Sequence, residues 1–184
     1  MSQQRVGEIN ARINNVTEKV MQRFSQLNAE QLNRKPSPES WSIAQCIDHI
    51  MVTNKSYYPQ YESLISGKPI TNFWKNVPVL PGFFGNLLKK SLRQEETKKF
   101  KTQPAFQPSQ SELPGDIVNQ FANSQYELTK TFNRLAVLDL KNEKITSPAA
   151  NFITYSLDDL LEITVLHEER HFLQAERVTV QFGF

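Results

Sequence analysis

The amino-acid sequence predicts an all-α protein built as a four-helix bundle, and three observations carry that expectation. Four long stretches space their apolar residues at alternating three- and four-residue steps. Capping signals mark the start of two of them, and no convincing run of alternating strand residues competes. A chain of 184 residues is long enough to bury roughly 70% of the surface its unfolded form exposes, so one domain over residues 1–184 is expected.

The first helix places Ile9, Ile13, Val16, Val20, Phe24 and Leu27 on one stripe and is expected to end near Asn28. Two prolines in the polar segment 29–40 bar a regular continuation. Ser42 and Gln45 then form a capping box for a second helix running to about Ile65. Its stripe is Ile43, Cys46, Ile47, Ile50, Tyr57, Tyr61 and Leu64, and Pro59 introduces a kink. Between Gly67 and Gly115 lie four of the six glycines and six of the ten prolines, which marks a long crossover interrupted by a helical segment from Phe83 to Phe100. The third helix begins near Asp116 and turns Ile117, Phe121, Leu128, Phe132 and Leu135 inward. Ser156 caps the fourth, with Asp159 in the capping-box position and acidic residues at the positive end of the helix dipole.

Composition excludes several classes. With 39% hydrophobic residues the chain is too apolar to be disordered, and a formal charge of +2 is too near neutrality for a dedicated nucleic-acid binder. No stretch approaches the ~18 to 20 apolar residues of a membrane span. A single cysteine, Cys46, cannot form an internal disulfide, and the N-terminal residues hold no apolar leader. A reducing, cytoplasmic setting with no nucleic-acid or membrane partner is expected.

The three histidines carry the chemistry. His167 and His171 lie one helical turn apart on a face that continues through Leu160, Ile163, Thr164, Gln174, Ala175 and Val178, while Glu168, Glu169 and Arg170 fall largely on other sides. Two histidines at this spacing are also met as ordinary buried polar residues. The remaining one, His49, stands on the stripe of Cys46 and Ile50, so all three occupy core-facing stretches. Three neutral imidazoles supply three ligands and leave a coordination position open, as catalytic rather than closed structural sites do. Imidazole ligands favour zinc, nickel or another borderline ion over magnesium or calcium.

Around them, Gln45 and Gln174 are candidates to orient a substrate or a ligand histidine, although the cap accounts better for Gln45. Cys46 reads as a small core residue, and Trp41, Phe172 and the tyrosines 57, 58 and 61 as packing. Lys89, Lys90, Arg93, Lys98, Lys99 and Lys101, diluted by Glu95 and Glu96, read as a solvated helix face.

The segment Trp41 to Ile50, WSIAQCIDHI, resembles the tryptophan-serine to histidine element of the DinB-like superfamily, the DinB and YfiT-type four-helix metalloproteins. Leu166 to Val178 resembles its C-terminal HxxxHxxQxxR helix through His167, His171, Gln174 and Arg177, and Tyr155 to Leu161 resembles the run leading into it. The resemblance covers about Ile9 to Val178. It implies up-down-down-up connectivity and a divalent metal held by His49, His167 and His171. It also implies a small-molecule substrate, thiol chemistry of the bacillithiol S-transferase kind with a low-molecular-weight thiol as co-substrate, and a homodimer. The alternatives are a metal-dependent hydrolase and a non-enzymatic, stress-related metal-binding bundle. No residue is singled out as catalytic beyond the ligands.

Overall fold

A computed structural model describes residues 1–77, 79–93 and 102–184. Helix α1 spans Ser2–Phe24 and buries the expected stripe from Ile9 to Phe24, with Val6 added to it, whereas Leu27 lies beyond its end and is half-buried. It stops four residues before Asn28, which instead caps a short helix α2, Ala29–Asn33, through a capping box with Gln31. The second predicted helix is two helices, α3 (Ile43–Ser56) and α4 (Tyr58–Ile65), which meet at Tyr57 rather than at Pro59. Proline lacks an N–H to bond the carbonyl four residues back, so the last turn of α3 tightens through Tyr57 N–H to Asn54 carbonyl and a new helix starts.

Helix α5 (Leu80–Arg93) begins three residues before Phe83, and residues 94–101, which include Glu95, Glu96, Lys98, Lys99, Lys101 and the predicted end at Phe100, lie outside the described residues. Helix α6 spans Ile117–Leu135, and α7 spans Leu157–Phe182 with Ser156 as its N-cap and Gly183 in the left-handed conformation closing it. Two strands, β1 (Lys144–Thr146) and β2 (Thr154–Ser156), pair antiparallel with Ile145 opposite Tyr155. At three residues each they are too short for an alternation to register in the sequence.

Long-range pairs give the directions of the helices. Arg5 bonds Asp158 and Glu162, Arg12 bonds Glu162 and Glu169, and Arg23 bonds Thr179, so α1 and α7 run parallel. Asn10 reaches Asn133 while the far ends of α1 and α6 share a core through Phe24, Ile117 and Phe121, so α6 is antiparallel to α1. The start of α3 shares that core with Ala175 and Val178, and its end bonds Glu168, so α3 is antiparallel to α7. The order is up, down, down, up, as the resemblance implies, and the crossover spans the bundle between α4 and α6.

The core forms two apolar clusters, one at the α4 and hairpin end and one at the α2 end. Between them each of α3, α6 and α7 is interrupted by buried polar residues: His49 and Asn54, Gln125, Glu168 and His171. The crossover docks in two pieces. Helix α5 lies against α7 at Gly85, where an added Cβ would stand 2.5 Å from Asp159 Oδ2, an approach only glycine permits. Lys89 binds Asp159 at 2.5 Å and Arg93 binds Glu162 at 3.3 Å. Lys89 is thereby half-buried against the acidic start of α7, whereas Lys90 and Arg93 remain exposed, as expected of a solvated face. The second piece, residues 104–114, straps across α3.

Candidate metal centre

The site begins with a local rule. The Ser42 hydroxyl accepts from Gln45 N–H at 3.1 Å while the Gln45 side-chain Oε1 accepts from Ser42 N–H at 3.2 Å, which starts α3 and sets His49 two turns in. Ser156 caps α7 by accepting from Asp159 N–H at 3.0 Å, while Asp159 Oδ2 accepts from the Ser156 hydroxyl at 2.8 Å instead of closing the expected capping box on the Ser156 N–H. The helical repeat then brings His167 and His171 to one side, with ring centroids 4.4 Å apart. The His49 ring stands 4.8 Å from that of His167 and 4.4 Å from that of His171. One nitrogen of each ring lies within 4.8 Å of the others, so the structure brings all three sequence-predicted residues into one cluster.

The partners of the other nitrogens determine which lone pairs are presented. His49 Nδ1–H donates to the Phe106 carbonyl, and His171 Nδ1–H donates to Gln174 Oε1 at 3.0 Å; each bond leaves Nε2 as the free lone pair. His49 Nε2 and His167 Nε2 face each other at 2.9 Å, close to the roughly 3.3 Å that separates two nitrogens about 2.05 Å from one tetrahedral ion. His167 Nδ1 is buried and has no partner among the described residues. The converging Nε2 atoms of His49 and His167, beside the His171 ring, fit a cation-binding set.

Electrostatics agrees with that donor set. Burial pulls the His49 pKa down to about 4, with the Phe106 carbonyl and the charge of Asp48 opposing it. Burial and the neighbouring imidazoles hold His167 and His171 well below the usual range. All three rings are neutral near pH 7, the form in which imidazole is a ligand.

The surroundings sort the remaining candidates. Gln174 Oε1 accepts from His171 Nδ1–H, whereas Gln45 is occupied by the cap and donates to the Gln110 carbonyl at 3.4 Å. Gln45 thus ties the strap to α3 and touches no histidine in the described hydrogen-bond set. Cys46 is fully buried, its thiol pushed up to about 12 by desolvation, and it does not join the ligand cluster among the described residues. Trp41 is a wall of the site rather than core packing alone: its ring lies 4.7 Å from His49 and 5.8 Å from His171. Phe172 packs on Phe24, and the Tyr57 hydroxyl pairs with that of Tyr155 in the core.

Sequence reasoning missed two groups. The Phe106 carbonyl is a backbone atom from the crossover and carries no sequence signal. Asp48, beside His49, accepts from Ser109 N–H at 2.5 Å and pins the strap over the site; its acidity next to a candidate ligand was the one available sign.

A family model described as the DinB superfamily matches residues 12–175. The chain belongs to the DinB superfamily. Comparison with curated proteins finds no match, and comparison with solved structures finds none. DinB superfamily membership and the three-histidine cluster together fit a metal-binding protein. No described helix of this DinB-superfamily chain is long and apolar enough to cross a membrane.

Proposed function

We propose that this protein is a divalent-metal-dependent enzyme that transfers a low-molecular-weight thiol to a small electrophile, with His49, His167 and His171 as ligands and zinc or nickel as the ion. The observation that carries the metal reading is the convergence of three neutral imidazoles from two helices with no fourth protein donor in the group among the described residues. When bound there, such an ion would supply the Lewis acidity that favours a thiolate over a thiol near neutral pH.

The residues of the chain set the stage for that chemistry. The Phe106 carbonyl and Gln174 orient two of the rings by accepting their Nδ1–H groups, and Trp41 packs against the His49 and His171 rings. The reaction forms a bond from sulfur to the electrophilic carbon, and the leaving group departs with its electron pair. The S–H proton goes to solvent.

The test mixes zinc- or nickel-loaded protein with a panel of small thiols and a model electrophile. A rate above that of the metal-free protein, lost in His49→Ala, supports the reading. No rate with any thiol refutes thiol transfer, and turnover of an ester or amide panel without thiol assigns hydrolysis instead.

A further inference from the structure

One buried carboxyl is used by none of this chemistry. Glu168 was expected on another side of the last helix than the histidines, yet it is 0% exposed, because α7 is packed against α1, α3 and α5 and its residues Leu160 to Leu166 are all buried. Its Oε1 accepts from Asn54 Nδ2 at 2.7 Å, and Asn54 is itself buried on α3, five residues after His49. Gln125 of α6 faces the same carboxyl, whose Oε2 has no hydrogen-bond partner among the described residues.

A buried carboxyl with one unmet oxygen costs stability that a leucine of similar size would not, so packing alone does not account for it. What it adds is direction. Apart from the histidine pair, the Asn54 to Glu168 bond is the only side-chain hydrogen bond between α3 and α7 among the described residues. The apolar contacts along the rest of that interface are non-directional, and the Asn54 to Glu168 bond adds a fixed donor–acceptor pairing to them. A shift of half a residue along a helix moves a side chain by about 0.75 Å, well beyond the ~0.2 Å tolerance of a metal–ligand distance.

We propose that the Asn54–Glu168 pair is a clamp that sets the axial register of α3 against α7, making Glu168 a positioning residue that holds His49 opposite His167 and His171. The inference rests on the metal reading above for its consequence, but the register is a property of the protein without an ion.

Three measurements test it on the full chain: zinc affinity by competition with a chromophoric chelator, the visible spectrum of the cobalt-loaded protein, and the imidazole NMR shifts of the metal-free protein. Glu168→Leu and Asn54→Leu are expected to weaken zinc binding by about 10- to 100-fold, to change the cobalt spectrum and to move the His49 and His167 signals. Glu168→Gln, whose amide oxygen still accepts from Asn54, is expected to stay within about threefold of wild type. Leu128→Ala, a core truncation in the other cluster, lowers the unfolding midpoint without these changes. Zinc affinity within threefold and unmoved imidazole signals in folded Asn54→Leu overturn the clamp, whichever way Glu168→Leu folds. A wild-type chain that takes up no metal overturns the metal reading instead, and the imidazole signals then judge the clamp alone.

Discussion

Glu162 sets how this fold responds to acid. Its carboxylate accepts from Arg5 at 2.8 Å, Arg12 at 2.9 Å and Arg93 at 3.3 Å, joining α1, α5 and α7 at one point. Burial pushes its pKa up, but the Arg12 and Arg5 bonds and charges outweigh burial and bring it down to about 2 from the usual 4.5. A carboxylate whose folded pKa is depressed contributes stability that is fully present above the unfolded pKa and disappears as pH falls through the folded one. The window here is pH 4.5 to about 2. A difference of 2.5 units corresponds to about 3.4 kcal/mol, and screening of the partly exposed arginines reduces the working figure to on the order of 2 kcal/mol. His49 acts in a higher window: with its pKa lowered to about 4, the unfolded chain protonates first and stability falls between pH 6.5 and 4. Urea unfolding of wild type and Glu162→Gln at pH 7, 5, 4, 3 and 2 separates the two. The variant should be less stable by on the order of 2 kcal/mol at pH 7 and lose less than wild type below pH 4.5. Equal losses in the two proteins between pH 4.5 and 2 would refute the assignment of this acid sensitivity to Glu162.

Three further outcomes are expected. Gly85→Ala places a methyl 2.5 Å from Asp159 Oδ2 and 2.7 Å from its Cγ, and that carboxylate is held by Ser156 and Lys89, so α5 must move at a cost of roughly 1–3 kcal/mol; an unchanged urea midpoint contradicts the close docking of α5. Elemental analysis after zinc loading and desalting should find one ion per wild-type chain and far less in His49→Ala, His167→Ala or His171→Ala, and an ion retained at full occupancy in any of the three removes that residue from the ligand set. A thiol reagent should leave native Cys46 unmodified over hours and label it at the rate of unfolding in urea, since the thiol is fully buried and pushed up to about 12; rapid native labelling means that this end of the core opens.

Much of the bundle was legible because it follows from periodicity and short-range chemistry. The stripe on α1, the Ser42 and Ser156 caps and the i, i+4 pair of histidines each depend on residues within a turn or two of one another. Periodicity misled where a helix is enclosed on more than one side. Leu160 to Leu166 are all buried, so a one-face reading of α7 sends Glu168 outward although α3 and α6 cover it. Lys89 and Arg93 look solvated along α5 and become ion pairs only when Gly85 lets α5 settle on α7.

The amino-acid sequence by itself determined the helices, their caps and the identity of the three candidate ligands, since each is encoded by spacing along the chain. The tertiary structure alone decided how these ligands are held. The Phe106 carbonyl, Asp48 with Ser109, and the Asn54 to Glu168 bond connect positions 57, 61 and 114 residues apart. Contacts at such separations arise from the packing of helices against one another and leave no period in the sequence.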